Sequence, residues 1–209
     1  MNQLFSKLPK VVLSVLFAAV AGSAVAADDP NLAEPAGYAK SLTIVPNRSA
    51  YPIAEPVADF PVLVRLSTGI PGFSYDDFLL PNGGDLRFTD EHGTALPFEI
   101  ESWNPSGTSL VWVQVPLLTD YTEIRAHWGN ATPDAAPDGM WKDYVGVYHL
   151  DAIDEDGVTP DSTANGFDLT ADDPSQDAVS DDAKVGGALG IVSRLLSANV
   201  YPVVQGQQL

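Results

Sequence analysis

The chain has no cysteine, so no disulfide closes its loops and no thiolate serves as nucleophile or metal ligand. It is poor in positive charge. Ten Lys and Arg stand against 28 Asp and Glu, a formal net charge of −18. A surface of that sign repels nucleic acid and anionic lipid, which are bound through clustered Lys and Arg. Histidine is scarce: His92, His127 and His149 are dispersed and lack the H-x-x-x-H spacing of a zinc site. Catalysis by a nucleophile would then fall to a serine, and no G-x-S-x-G turn occurs. These absences argue against an enzyme and against a nucleic-acid partner.

Long apolar runs are missing, with one short exception. Val11–Val20 is apolar but for Ser14, follows Lys7 and Lys10, and leads into small residues ending Ala24-Val25-Ala26. That is the three-part pattern of a secretory signal peptide, residues 1–26. The run is shorter than the roughly 20 residues that span a bilayer. Removing the signal takes away two lysines and no acid, so the exported chain carries −20. The expectation is an exported chain, in the periplasm, at the cell surface or outside the cell, with no membrane span after cleavage.

What is present is turn chemistry. Seventeen Gly and 17 Pro punctuate short runs of alternating apolar and polar residues, the mark of many short strands. Residues 27–37 read as a linker. Strands are expected at Ala39–Val45, Phe60–Ser67, Asp85–Thr89, Leu96–Trp103, Leu110–Val115 and Glu123–Trp128. Pro81-Asn82-Gly83-Gly84, Glu91-His92-Gly93 and Asn104-Pro105-Ser106-Gly107 supply the turns between them. Tyr75–Leu80 has room for one helical turn, with Asp76 and Asp77 suited to its start. A second Pro-containing linker covers 133–143, and Val145–Leu150 reads as a further strand. The fold class expected is all-β, an antiparallel β-sandwich of jelly-roll type with an incomplete second β segment over 144–209.

Alternation assigns faces. Phe98 and Ile100 share one side of their strand; Glu99, Glu101 and Trp103 share the other. Val111, Val113 and Val115 face the core, leaving Leu110, Trp112 and Gln114 outward. A tight turn joins these strands, so Glu99, Glu101, Trp103, Trp112 and Gln114 are expected on one outward face. Aromatic rings stack on the C–H faces of sugars, while carboxylates and amides bond their hydroxyls. The set therefore reads as a glycan-binding face, with a polysaccharide or cell-surface glycan as partner. The competing reading is that one or both tryptophans pack beneath other elements. Glu99 and Glu101, about 7 Å apart by the strand rise, are also compatible with the carboxylate pair of a glycoside hydrolase, a spacing that does not discriminate.

From Asp151 to Asp182 there are eleven acids and no base. Asp151, Asp154 and Asp156 precede Gly157, and clustered oxygens before a Gly turn suit Ca2+. The spacing is not that of an EF-hand, and the plainer reading of the same residues is a solvated acidic loop. Ca2+ is the one cofactor the sequence suggests.

The phrases FPVLVRLS (Phe60–Ser67), DLRFTD (Asp85–Asp90), LPFEIESW (Leu96–Trp103), VWVQVP (Val111–Pro116) and HWGN (His127–Asn130), in this order, resemble the domain-of-unknown-function family 2341 over about residues 38–132. GVYHLD (Gly146–Asp151), DSTANGFDLT (Asp161–Thr170) and KVGGAL (Lys184–Leu189) resemble the opening of a LamG, concanavalin-A-like module. A full module of that class is longer than the residues remaining after Tyr144, and GIVSRLLSANVYPVVQGQQL (Gly190–Leu209) departs from its pattern. The resemblance implies the front part of a longer, modular bacterial surface protein, with residues 151–209 only partly built. Some relatives carry the same modules ahead of a proton-channel domain of the MotA/TolQ/ExbB type. The expected role is a non-catalytic binding or adhesion module. The alternatives are a structural spacer, the periplasmic part of such a channel protein, and a glycoside hydrolase accessory domain.

Overall fold

The computed structural model describes residues 35–45, 52–150, 157–170, 178–180, 188–190 and 197–198. The chain divides into two compact units, with the boundary between Met140 and Trp141.

The first unit is all-β and antiparallel. Its strands are β1 (Lys40–Ile44), β2 (Val57–Leu66), β3 (Arg87–Asp90), β4 (Phe98–Ser102), β5 (Ser109–Leu118) and β6 (Ile124–Trp128). They form two three-stranded sheets, ordered β1-β6-β3 and β2-β5-β4. One apolar core draws on both, as in a β-sandwich. Phe60, Val62 and Val64 of β2 stand opposite Val115, Val113 and Val111 of β5, and Leu66 stands opposite Ser109. Leu42, Phe88, Ile124, Ala126 and Trp128 come from the other sheet. Each of the Val, Leu, Ile and Phe side chains contributes about 1.5–3 kcal/mol by leaving water. The period-two pattern places these residues, because one face of each sheet is buried.

Two local features depart from a plain reading of the pattern. The turn at Glu91-His92-Gly93 does form, with Asp90 Oδ1 accepting from His92 N and Thr94 N at 2.9 and 2.8 Å. The returning strand is brief, however. Ala95 bridges Thr89 and Leu96 N donates to Phe88 O. One residue later, Pro97 O accepts from Gln114 N at 2.9 Å in the opposite sheet. The expected strand at Leu96–Trp103 therefore straddles both sheets, with Leu96 in one and β4 in the other. Pro97, lacking an N–H, stands where the chain crosses.

The second departure is a β-bulge in β4. Ile100 pairs with Val111, but Ser102 pairs with Leu110. Glu101 is the extra residue, and the side-chain parity reverses after it.

The segment between β2 and β3 closes one end of the sandwich. It contains two 3-10 turns, Tyr75–Asp77 and Pro81–Gly83. Tyr75 Oη donates to Leu66 O at 2.8 Å and accepts from Ser109 N at 3.1 Å. Ser109 Oγ lies 2.8 Å from the same phenol oxygen and accepts from Asn104 N. Phe73, Tyr75, Phe78, Trp103 and Trp128 pack ring against ring beneath this segment, with neighbouring centroids 5.0 Å apart for Phe73–Tyr75 and Phe78–Trp103.

In the second unit, β7 (Val158–Thr159), β8 (Leu169–Thr170) and β11 (Ser197–Ala198) form a three-stranded antiparallel sheet. The hairpin partners β9 (Ala178–Ser180) and β10 (Ala188–Gly190) form another. The strand expected at Val145–Leu150 is irregular instead. Its Val147 N donates to Asp161 Oδ1 and its Val147 O accepts from Ser162 N, both at 2.9 Å. Those bonds bind it to a loop rather than to a ladder. No helix among the described residues is long and apolar enough to cross a membrane.

Candidate functional site

The outward face of β4 and β5 holds part of the expected set. Glu99 stands opposite Trp112 in the register. Trp112 Nε1 donates to Glu101 Oε2 at 2.9 Å. The bulged position of Glu101 swings its carboxylate toward the indole. Glu99, Glu101 and Trp112 thus share one half-buried patch, with Trp112 held in a fixed orientation.

Trp103 does not join them. The bulge turns it to the core side, a correction to the face read from alternation. It packs edge-on against Tyr75 and Phe78 at 5.3 and 5.0 Å. Gly83 lies against its ring: a Cβ at position 83 would sit 2.7 Å from the indole, and the φ there is +72°. Only glycine satisfies both demands. Gln114 keeps its outward parity but is 4 % exposed, flanked in register by Pro61. Its Nε2 has no hydrogen-bond partner among the described residues. A buried amide with an idle donor offers little to a ligand in solution.

Carboxylates dominate the polar architecture elsewhere. Asp85, fully buried, accepts four backbone N–H groups. Oδ2 takes Leu79 N at 3.1 Å, Gly129 N at 2.8 Å and Asn130 N at 3.2 Å; Oδ1 takes Leu80 N at 3.2 Å. It ties the loop before β3 to the chain leaving β6. Arg87 extends the same seam, donating from Nε to Asp134 O at 2.7 Å and from Nη1 to Gly84 O and Leu86 O. Tyr38 lies at this seam, and burial raises its phenol pKa. The Arg87 charge opposes that shift and the Asp134 charge adds to it.

In the second unit Asp161 plays the corresponding part. Its carboxylate accepts from Val147 N, Thr163 N, Thr163 Oγ1 and Phe167 N at 2.7–3.0 Å. Burial works to raise its pKa. The bonds from Val147, Thr163 and Phe167 outweigh burial and hold the carboxyl below its ordinary value. Asn165 Nδ2 donates to Tyr144 O and Val145 O, and Tyr148 Oη donates to Phe167 O at 2.6 Å. Burial raises the Tyr148 pKa, as do the charges of Asp161 and Asp168.

Neither carboxylate centre was expected as such. Asp85 reads in the sequence as the first residue of a strand, and Asp161 as part of a loop phrase. The available signals were the two glycines before Asp85 and the Asp-Ser-Thr run at Asp161, both typical of side chains that bond nearby backbone.

The histidines stay apart. His92 is exposed on the hairpin tip, 3.5 Å from Glu91. His127 is fully buried and shares a 2.9 Å hydrogen bond between Nε2 and Thr89 Oγ1. His149 lies beside Trp141 in the second unit. Asp151, Asp154 and Asp156 lie outside the described residues. Among the described residues no group of three or more His, Asp or Glu is arranged to hold a metal ion.

The fold thus defines an antiparallel β-sandwich whose polar side chains mainly bond its own loops. Residues 82–159, fewer than half of the chain, match the family model described as a domain of unknown function, DUF2341. The matched stretch begins at Asn82 and takes in Asp85, β3 to β6, and Asp134. No curated protein and no solved structure matches the chain.

Proposed function

We propose that the chain is an exported, non-catalytic module of a modular bacterial surface protein, and that it works as a structural spacer setting neighbouring modules apart. The observation that carries this is where its reactive-looking side chains are committed. Asp85 and Asp161 each accept four hydrogen bonds from the chain's own groups. Trp103 packs, partly buried, against the core, and Gln114 is buried. Side chains fixed by their own fold stiffen a module and leave few groups for a substrate. The N-terminal signal pattern and the resemblance of residues 144–209 to the start of a LamG module agree with a multi-module exported chain.

A second reading, glycan binding, rests on the patch of Glu99, Glu101 and Trp112. The Glu101 bond orients the indole, and preorientation lowers the cost of stacking a sugar on it. Tryptophan fluorescence of the exported chain, titrated with a panel of soluble polysaccharides, separates the two. The spacer reading expects emission indifferent to every sugar. A saturable shift with one polysaccharide, lost in Trp112→Ala, would replace it with the glycan reading.

A further inference from the structure

Asparagine followed by glycine occurs among the described residues at Asn82-Gly83 and at Asn165-Gly166. The pair carries a chemistry of its own. Glycine has no Cβ to shield its backbone nitrogen, and that nitrogen can attack the carboxamide of the asparagine before it. The bond from glycine N to asparagine Cγ forms and the Cγ–Nδ2 bond breaks. The glycine N–H proton passes to solvent, and Nδ2 takes up a proton and leaves as ammonia. Water then opens the cyclic imide at one of its two carbonyls. One opening gives aspartate. The other gives an isoaspartyl linkage, whose backbone is longer by a methylene. Water is the one co-reactant.

The fold treats the two asparagines differently. Asn165 is tethered: Nδ2 donates to Tyr144 O at 3.2 Å and to Val145 O at 3.1 Å, and its backbone N donates to Thr163 Oγ1. Its carboxamide cannot swing onto Gly166 without breaking both side-chain bonds. Asn82 is exposed, and no described residue bonds its carboxamide. The 3-10 turn around it is irregular at that residue, with φ +55° and ψ +32°. The rotation that brings Gly83 N to Cγ therefore disturbs a single turn and no strand ladder.

The consequence lies in what the turn supports. Gly83 is buried against the Trp103 ring, with no room for a Cβ. Gly84 N donates to Pro81 O at 3.0 Å and Leu86 N to Gly83 O at 2.9 Å. Leu80, just before the turn, is tied to Asp85. A methylene inserted between Asn82 and Gly83 lengthens a stretch whose two ends are fastened. We propose that Asn82 is a self-modifying site, at which conversion to the isoaspartyl linkage lifts Gly83 off the Trp103 ring and loosens this end of the sandwich. The module then has a finite chemical lifetime. The inference stands apart from the spacer reading, which does not depend on Asn82.

The test keeps the exported chain folded in mildly alkaline buffer and follows it by trypsin digestion and mass spectrometry. Cleavage at Arg65 and Arg87 isolates Asn82 in residues 66–87, and cleavage at Lys142 and Lys184 isolates Asn165 in residues 143–184. Asn82 should convert roughly tenfold faster than Asn165, whose two bonds add to its barrier. In urea the two rates should converge, since both asparagines precede glycine. The aged chain should unfold at lower urea than fresh chain, whereas Asn82→Asp, which adds the charge without the methylene, should unfold like the parent. Equal rates in the folded chain, an Asn82 that stays intact while the urea-unfolded chain converts, or a rate difference that persists in urea would overturn the proposal. So would an aged chain as stable as the parent, or an Asn82→Asp variant as weakened as the aged chain.

Discussion

Asp85→Ala removes the acceptor of four backbone N–H groups at a position with no solvent exposure. The bond to Gly129 is buried and the other three are partly so. An N–H left unpaired in the interior costs about 1–3 kcal/mol, and hydrogen bonds to a charged acceptor contribute at the upper end of the usual range. Gly129 N should account for about 2 kcal/mol. The other three, which water reaches in part, should add roughly 0.5–1 kcal/mol each. Relief of the buried carboxylate's own desolvation trims the total. The expected loss is about 3–4 kcal/mol, a large share of the roughly 5–15 kcal/mol that holds a typical domain folded. Asp85→Asn keeps one oxygen, which can serve the three donors now on Oδ2, but turns an amide donor toward Leu80 N. It should cost less, about 2 kcal/mol. Urea unfolding followed by tryptophan emission measures both, since Trp128 lies in the affected core and Trp103 packs against it. A loss below about 1 kcal/mol for Asp85→Ala, or a larger loss for Asp85→Asn than for Asp85→Ala, would refute the view that this carboxylate fastens the two loops.

Trp103→Ala should destabilise the sandwich by about 3 kcal/mol, the low end of the range for core aromatics, and Trp112→Ala by clearly less, because only the former packs against the core; equal losses in urea unfolding would contradict the reversal of faces at the Glu101 bulge. Gly83→Ala forces a Cβ to 2.7 Å from the Trp103 ring at a φ of +72°, and a melting curve should show a loss of about 2 kcal/mol or more. The folded pKa of Asp161 lies below its unfolded value, so the stabilisation it brings is complete above the unfolded pKa of roughly 4 and is lost as pH falls through the folded one. Amide exchange at Val147 and Phe167 should accelerate on that acid limb in the parent, while Asp161→Asn should exchange fast at every pH; a parent whose protection there ignores acid would sink the assignment.

The alternating pattern by itself determined much of the sandwich. Six expected strands stand within a few residues of β1 to β6, and Val111, Val113 and Val115 face inward as their spacing requires. Period two translates directly into a buried face wherever a strand is regular. The Asn104–Gly107 turn was legible for the same local reason: Asn104 O and Oδ1 accept from Gly107 N and Ser106 N within the turn. The candidate site was less legible, because it depended on a strand that is not regular. One bulged residue, Glu101, joined Glu99 and Trp112 on their face and turned Trp103 against the core. A bulge is selected by how β4 fits β5, and nothing in Phe98–Trp103 alone distinguishes it from an unbroken strand. The passage of the chain between sheets at Pro97 is likewise a choice between two partners, Phe88 and Gln114, distant in sequence. Asp85 needed the tertiary structure most. Its donors come from Leu79, Leu80, Gly129 and Asn130, and only folding brings residues more than forty positions away to within hydrogen-bond reach of one carboxylate.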